Sequence, residues 1–253
     1  MQILGKKNAT SEERDELYNL NHGLRERAVE ALRQATQLAP RNATYHRELG
    51  RALYSLADSR NLTRRGIKEE EIESTSATAR RDRDEGFAEL RRAVALDPAD
   101  AAAHKALAKE IDFGEEKLAE YRAAIRLDPA DANSRIEMGE LLLSQKDITG
   151  AIAEFRAAVR IDPKNAKAHM QLGFAFEEEL GQMDKAIEEY RKSVDLGPDA
   201  LGPSPYYRVS VLSGALTKAG KRKEAVKVIH DYLKLEPEYE VVFRERLLEL
   251  ERE

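Results

Sequence analysis

Histidine is the side chain through which this sequence most openly offers chemistry: His22, His46, His104, His169 and His230. Three of them, His46, His104 and His169, hold one place in the repeating segments, three residues before a Leu-Gly or Leu-Ala pair. Ring nitrogens share a metal only when they converge to about 2.0–2.1 Å from it. Equivalent places in a helical repeat are spaced along its axis, so the three are expected to be packing residues. Asp82-x-Asp84-x-Gly86 opens like a calcium loop, but Ala93 stands where the closing Glu is required. Asn8-Ala9-Thr10, Asn42-Ala43-Thr44 and Asn61-Leu62-Thr63 fit the glycosylation pattern and, with no secretion signal, are taken as coincidence. Paired carboxylates are common because 47 residues are acidic, and their spacing to Lys and Arg at i, i+4 supports helices. With Cys at 0, thiolate metal sites and disulfides are excluded. No glycine-rich phosphate loop, His-Glu-x-x-His or Gly-x-Ser-x-Gly occurs. The expectation is a protein that is no enzyme and needs neither cofactor nor metal.

The elements that carry these residues follow from composition and spacing. The 253 residues are 35% charged, rich in Ala, Leu, Glu, Arg and Lys, with Gly 14 and Pro 8, a helical composition. A net charge of −5 gives no overall basic field for nucleic acid, and no apolar run is long enough to span a membrane. Leu96-Asp97-Pro98, Leu127-Asp128-Pro129 and Ile161-Asp162-Pro163 are near-copies; Pro40, Pro198 and Pro237 close looser ones. The successive Pro spacings are 58, 31, 34, 35 and 39, a period near 34 with one insertion of about 24 residues.

Within that period Met138, Gly139, Leu142, Ala151, Phe155, Ala158 and Pro163 fall on the pattern L-G-x2-Y…A-x3-F…P. Leu172, Gly173, Phe176, Ala186, Tyr190 and Pro198 repeat it. The chain resembles the tetratricopeptide repeat family from about Ser11 onward. The resemblance implies an all-α, right-handed superhelical solenoid of about six helix-turn-helix repeats with a C-terminal capping helix. Residues 1–10 are then a tail, 11–253 a single domain, about 59–85 an insertion in the first full repeat, and about 239–252 the cap. Val242, Phe243, Leu247 and Leu250 are expected to face inward on that cap. The insertion has two structural readings: a solvated excursion, or a backward extension of the next helix capped by Ser74 or Ser76. It also has a functional one, as a lid or second contact surface.

The resemblance further implies a ligand groove on the first helices, flanking the Leu-Gly pair. That places Arg47, Arg51, Lys105 and Lys109 on a basic stripe, with Ile136, Met170 and Phe174 as an apolar stretch beside it. A protein or peptide with acidic and hydrophobic residues suits such a groove. The tail-clamping Lys–Asn, Asn, Lys–Arg set of some relatives is not matched, since Glu137 holds the middle Asn place. The expected function is a non-enzymatic, cytoplasmic adaptor, with a self-associating scaffold as the alternative and no nucleic acid or membrane insertion involved.

Overall fold

The computed structural model describes residues 11–62, 69–178, 182–197 and 202–252; the expected tail, 1–10, lies outside them. Among the described residues there are twelve α-helices and no strand. They are α1 (Ser11–Leu38), α2 (Ala43–Leu62), α3 (Glu69–Leu96), α4 (Ala101–Glu110), α5 (Glu115–Leu127), α6 (Ala132–Ser144), α7 (Ile148–Ile161), α8 (Ala166–Glu178), α9 (Met183–Asp195), α10 (Pro205–Lys218), α11 (Arg222–Leu235) and α12 (Glu240–Glu251). Two compact units divide them, Met1–Leu127 with α1–α5 and Asp128–Glu253 with α6–α12. Inside each unit every helix packs on the next in sequence, and the first helices of neighbouring pairs also meet, α2 with α4 and α6 with α8.

The Asp-Pro copies explain where helices stop and restart. Proline ends the second helix, and the Asp before it accepts from the backbone two residues on: Asp97 from Ala99 N (3.0 Å), Asp128 from Ala130 N (3.1 Å), Asp162 from Lys164 N (3.1 Å). Three residues after each such Asp comes the N-cap of the next helix. Asp100 accepts from Ala103 N, Asp131 from Asn133 N and Asn165 from Ala168 N, each at 3.0–3.1 Å. The small-and-large pattern explains the pairing. A methyl at Gly139 would stand 2.5 Å from the Phe155 ring, and Tyr190 closes Gly173 in the same way. At Gly50 backbone closes the space as well, because a methyl there would meet the Gly86 carbonyl at 2.9 Å as well as Leu90. Leu53, Leu90, Phe155, Tyr190, Leu216 and Ile229 are fully buried between helices, each burial contributing about 1.5–3 kcal/mol.

Three places differ from the sequence reading. Before Pro40 there is one helix, α1, running unbroken over Ser11–Leu38, where a full repeat would have two. In the stretch 59–85, residues 59–62 continue α2 and residues 69–85 belong to α3, which starts well before Ser74. Residues 63–68 and the side chains of Glu69, Glu70 and Glu71 lie outside the description. Few apolar anchors were visible there because the helices are joined by charge. Arg33 makes a two-pronged contact with Glu85 at 2.8 and 2.6 Å, Arg60 reaches Glu26 at 3.2 Å and Asp82 at 3.3 Å, and Arg83 meets Asp58 at 2.7 Å. Asp82 is thus a helical residue facing Arg60, not the start of a calcium loop. On α12, Phe243 and Leu250 are buried and Leu247 half-buried, but Val242 is 54% exposed. The i, i+4, i+7 stripe of Phe243, Leu247 and Leu250 fills the contact, so Val242 is turned away from it.

Candidate binding face

The first unit gathers the four expected cations on two touching helices. Arg47 and Arg51 stand one turn apart on α2, and Lys105 and Lys109 one turn apart on α4. Arg51 is 60% exposed and Lys109 is exposed, while Arg47 and Lys105 are half-buried. The sequence reading counted these cations but missed the carboxylates beside them. Arg47 Nη1 donates to Asp100 and its Nε to Glu48 at 3.0 Å; Arg51 lies 3.5 Å from Glu48. Burial alone would lower the Arg47 pKa, but Glu48 and Asp100 outweigh it and raise it. Asp100 is the N-cap of α4, and its place beside Arg47 follows from α4 starting against α2. Glu110, next to Lys109, is raised by burial and then by Asp58, against Arg83, Lys109 and Lys117. Tyr54 on α2 is pushed to about 12, first by burial and then by Glu110, so its phenol stays neutral.

The second unit holds the other three expected groove residues and presents them differently. Ile136 and Met170 are each 1% exposed, so neither offers surface to a ligand. This corrects their placement as groove-lining side chains. At their helix position neighbouring helices close over the side chain, and an apolar residue gains more from packing than from a wet face. Phe174 is half-buried, its ring edge-on to Tyr190 with centroids 5.4 Å apart. Polar residues around it are tied to one another. Lys167 meets Glu140 at 2.8 Å, Gln171 donates to Glu140, and Glu177 accepts from Tyr190 Oη at 2.8 Å and from Lys218. Burial would raise the Glu177 pKa, but the Lys218 and Tyr190 hydrogen bonds lower it.

One feature of the second unit had no signal in the sequence. Arg208 is 1% exposed, and it donates from Nη1 to the Ser193 carbonyl at 2.5 Å and from Nη2 to the Gly197 carbonyl at 2.6 Å. It thereby satisfies the C-terminal carbonyls of α9. Beside it lies a cavity of about 490 Å³ whose lining includes Val194, Val209, Leu212, Val228 and Tyr232. Among the described residues, no three His, Asp or Glu side chains are placed to hold a metal ion. None of the described helices is long and apolar enough to cross a membrane.

Comparison with known proteins agrees with this architecture. Residues 17–59 and 166–199 match models described as tetratricopeptide repeat, and residues 139–178 one described as TPR repeat. Comparison with curated proteins gave no match. Among solved structures, pilF of Pseudomonas aeruginosa is similar with a TM-score of 0.60 and 18% identity, covering 90% of this chain and 93% of its own. MamA residues 41 to the end from Desulfovibrio magneticus RS-1 is similar with a TM-score of 0.53 and 21% identity, covering 63% and 89%. YrrB, described as a TPR protein with an unusual peptide-binding site, is similar with a TM-score of 0.54 and 15% identity, covering 87% and 99%. At these identities the likeness speaks to fold alone. Together with the small-and-large helix crossings and the Asp-Pro turns, the matches identify tetratricopeptide repeats over residues 17–59 and 139–199.

Proposed function

We propose that this chain is a non-enzymatic adaptor that binds a protein or peptide segment on the first-helix face of α2 and α4. Arg51 and Lys109 are the cations that meet the ligand, and Arg47 and Lys105 support them. The observation that carries the reading is the exposure of Arg51 and Lys109 on adjoining helices in a chain that is acidic overall. Acidic residues in the partner would replace Glu48 around Arg51, and apolar residues would cover Tyr54 on the same helix. YrrB, with the same fold, is described as having a peptide-binding site.

The test is a titration with a labelled peptide of alternating acidic and apolar residues, followed by anisotropy. The double variant R51E/K109E is expected to lose at least tenfold in affinity with unchanged helical circular dichroism. Binding should also weaken with salt, because exposed charges are screened beyond about 8 Å at 0.15 M. Equal affinity in the variant, or indifference to salt, overturns the reading.

A second reading, self-association, is favoured by the exposed apolar residues of the terminal helices. Leu20 and Leu24 on α1 are 62% and 52% exposed, and Val241 and Leu248 on α12 are 79% and 45% exposed. The end helices of a solenoid have the same stacking need as its interior ones, so one copy's end suits the other end of a second copy. Light scattering at rising concentration tests it: mass growth lost in V241E/L248E supports a scaffold, and a constant monomer mass removes it.

A further inference from the structure

Four successive helix pairs carry one contact at the same two places. Three residues before the Leu-Gly or equivalent pair stand His46, His104, Arg135 and His169. Just before the large residue of the second helix stand Glu89, Glu120, Glu154 and Glu189. The structure joins them in order. His46 Nδ1 meets Glu89, His104 Nδ1 meets Glu120 at 2.5 Å, Arg135 Nη1 meets Glu154 at 3.0 Å, and His169 Nδ1 meets Glu189 at 2.7 Å. Each histidine has a second partner. Its Nε2 faces the carbonyl of the turn proline six residues earlier: Pro40 at 3.1 Å, Pro98 at 3.1 Å and Pro163 at 3.0 Å. The rings are 2%, 9% and 5% exposed, so water does not substitute for either partner.

A neutral imidazole has one N–H, and a carbonyl accepts only. Nε2 therefore donates to the proline, and Nδ1 must carry a second proton to donate to a carboxylate. The Arg135–Glu154 pair argues against the other bookkeeping, a protonated Glu beside a neutral ring. Arginine cannot give up its charge, so at this place the chain has a cation facing an ionised carboxylate. The fifth pair completes the pattern. There Val209 and Val228 occupy the two places, cation and carboxylate having disappeared together.

We propose that His46, His104 and His169 are imidazolium cations at neutral pH, each latching the first helix of its repeat to the second helix and to the preceding proline turn. Alkaline pH then loosens the histidine repeats while the Arg135 repeat stays latched. Among the described residues, Glu89 is the charged side chain paired with His46 from the elements around α2, and Glu120 the one paired with His104 from those around α4. Around His169, α9 presents Glu189 and, opposing it, Lys192, while α6 and α7 pair no charged side chain with it. For His169, burial alone would lower the pKa, but the hydrogen bonds to Glu189 and Pro163 outweigh it and raise the group above 6.5. Its stabilising effect is complete below the unfolded value and is lost as pH climbs through the raised folded value. Burial would raise Glu189, but His169 and Lys192 hold it below 4.5, so its share is lost only as pH falls through that lowered value. The latch is thus closed between the two. The proposal does not depend on the binding role of α2 and α4.

The test is heteronuclear NMR of the ring nitrogens in the full chain. At pH 7 His46, His104 and His169 are expected with both ring nitrogens protonated. Neutral single-tautomer rings for His46, His104 and His169 at pH 7 would overturn the proposal. A second readout uses the replacement that the chain already contains. Melting temperature is expected to fall by several degrees between pH 6 and pH 9, and H46R/H104R/H169R is expected to flatten that fall. An equal fall in a folded triple variant would also overturn it.

Discussion

The α8–α9 pair and the α10–α11 pair lie side by side in one unit and share one plan, yet they are joined by opposite means. In α8–α9 a buried His169 faces Glu189 and the Pro163 carbonyl. In α10–α11 the same two places are Val209 and Val228, and the end of α9 is held instead by Arg208, which reaches the Ser193 and Gly197 carbonyls. The difference teaches that this position tolerates charge or apolar contact, provided both partners change together. A cation without its carboxylate, or the reverse, leaves a buried group with no partner, which costs more than either matched pair contributes.

The largest effect is expected on the apolar side of this comparison. Arg208→Ala strands two carbonyls at the end of α9 and should cost about 3 kcal/mol in urea unfolding, since hydrogen bonds from a charged group contribute about 1.5–3 kcal/mol each. Next comes the charged side. Glu189→Val removes the carboxylate from His169, and the loss should be about 2 kcal/mol at pH 6. It should shrink as pH rises and the ring sheds its proton, which a pH series of melts would show. A smaller effect is expected from moving half of the charged pair across. Val209→His should cost about 1.5 kcal/mol, and adding Val228→Glu should recover roughly half of it as a double-mutant coupling. No coupling would break the idea that the two places act as a pair. The smallest effect lies in the α6–α7 turn, where Lys146 holds a φ of 66° against Gly114 and Gly220 in the corresponding turns of other pairs. Lys146→Gly should stabilise by about 0.5–1 kcal/mol, read as a rise in melting temperature.

Much of the fold was legible because its signals are local. The Asp-Pro copies and the residues three places later set helix ends within a few neighbours, as Asp97 and Asp100 do. The repeat pattern marked Gly139, Phe155, Gly173 and Tyr190 as packing places, but that each ring closes over the Gly of its own pair was seen only in the folded pairs. The candidate site was legible in part. Arg51 and Lys109 were placed on an open face, but Asp100 beside Arg47 was not foreseen, because the two are 53 residues apart in sequence. Ile136 and Met170 were assigned to a groove by their place in the repeat, yet burial there depends on how closely the neighbouring helices approach, which no single repeat specifies.

Periodicity, proline spacing and the alternation of small and large residues determined that this chain forms stacked helix pairs, since each of those signals acts over one or two turns. The tertiary structure alone decided what the recurrent histidines do. Their partners come from 16 to 43 residues away on a second helix, and from a carbonyl that every residue possesses and no sequence pattern marks. A ring's charge is set by which atoms surround both its nitrogens, and folding is what brings those atoms together.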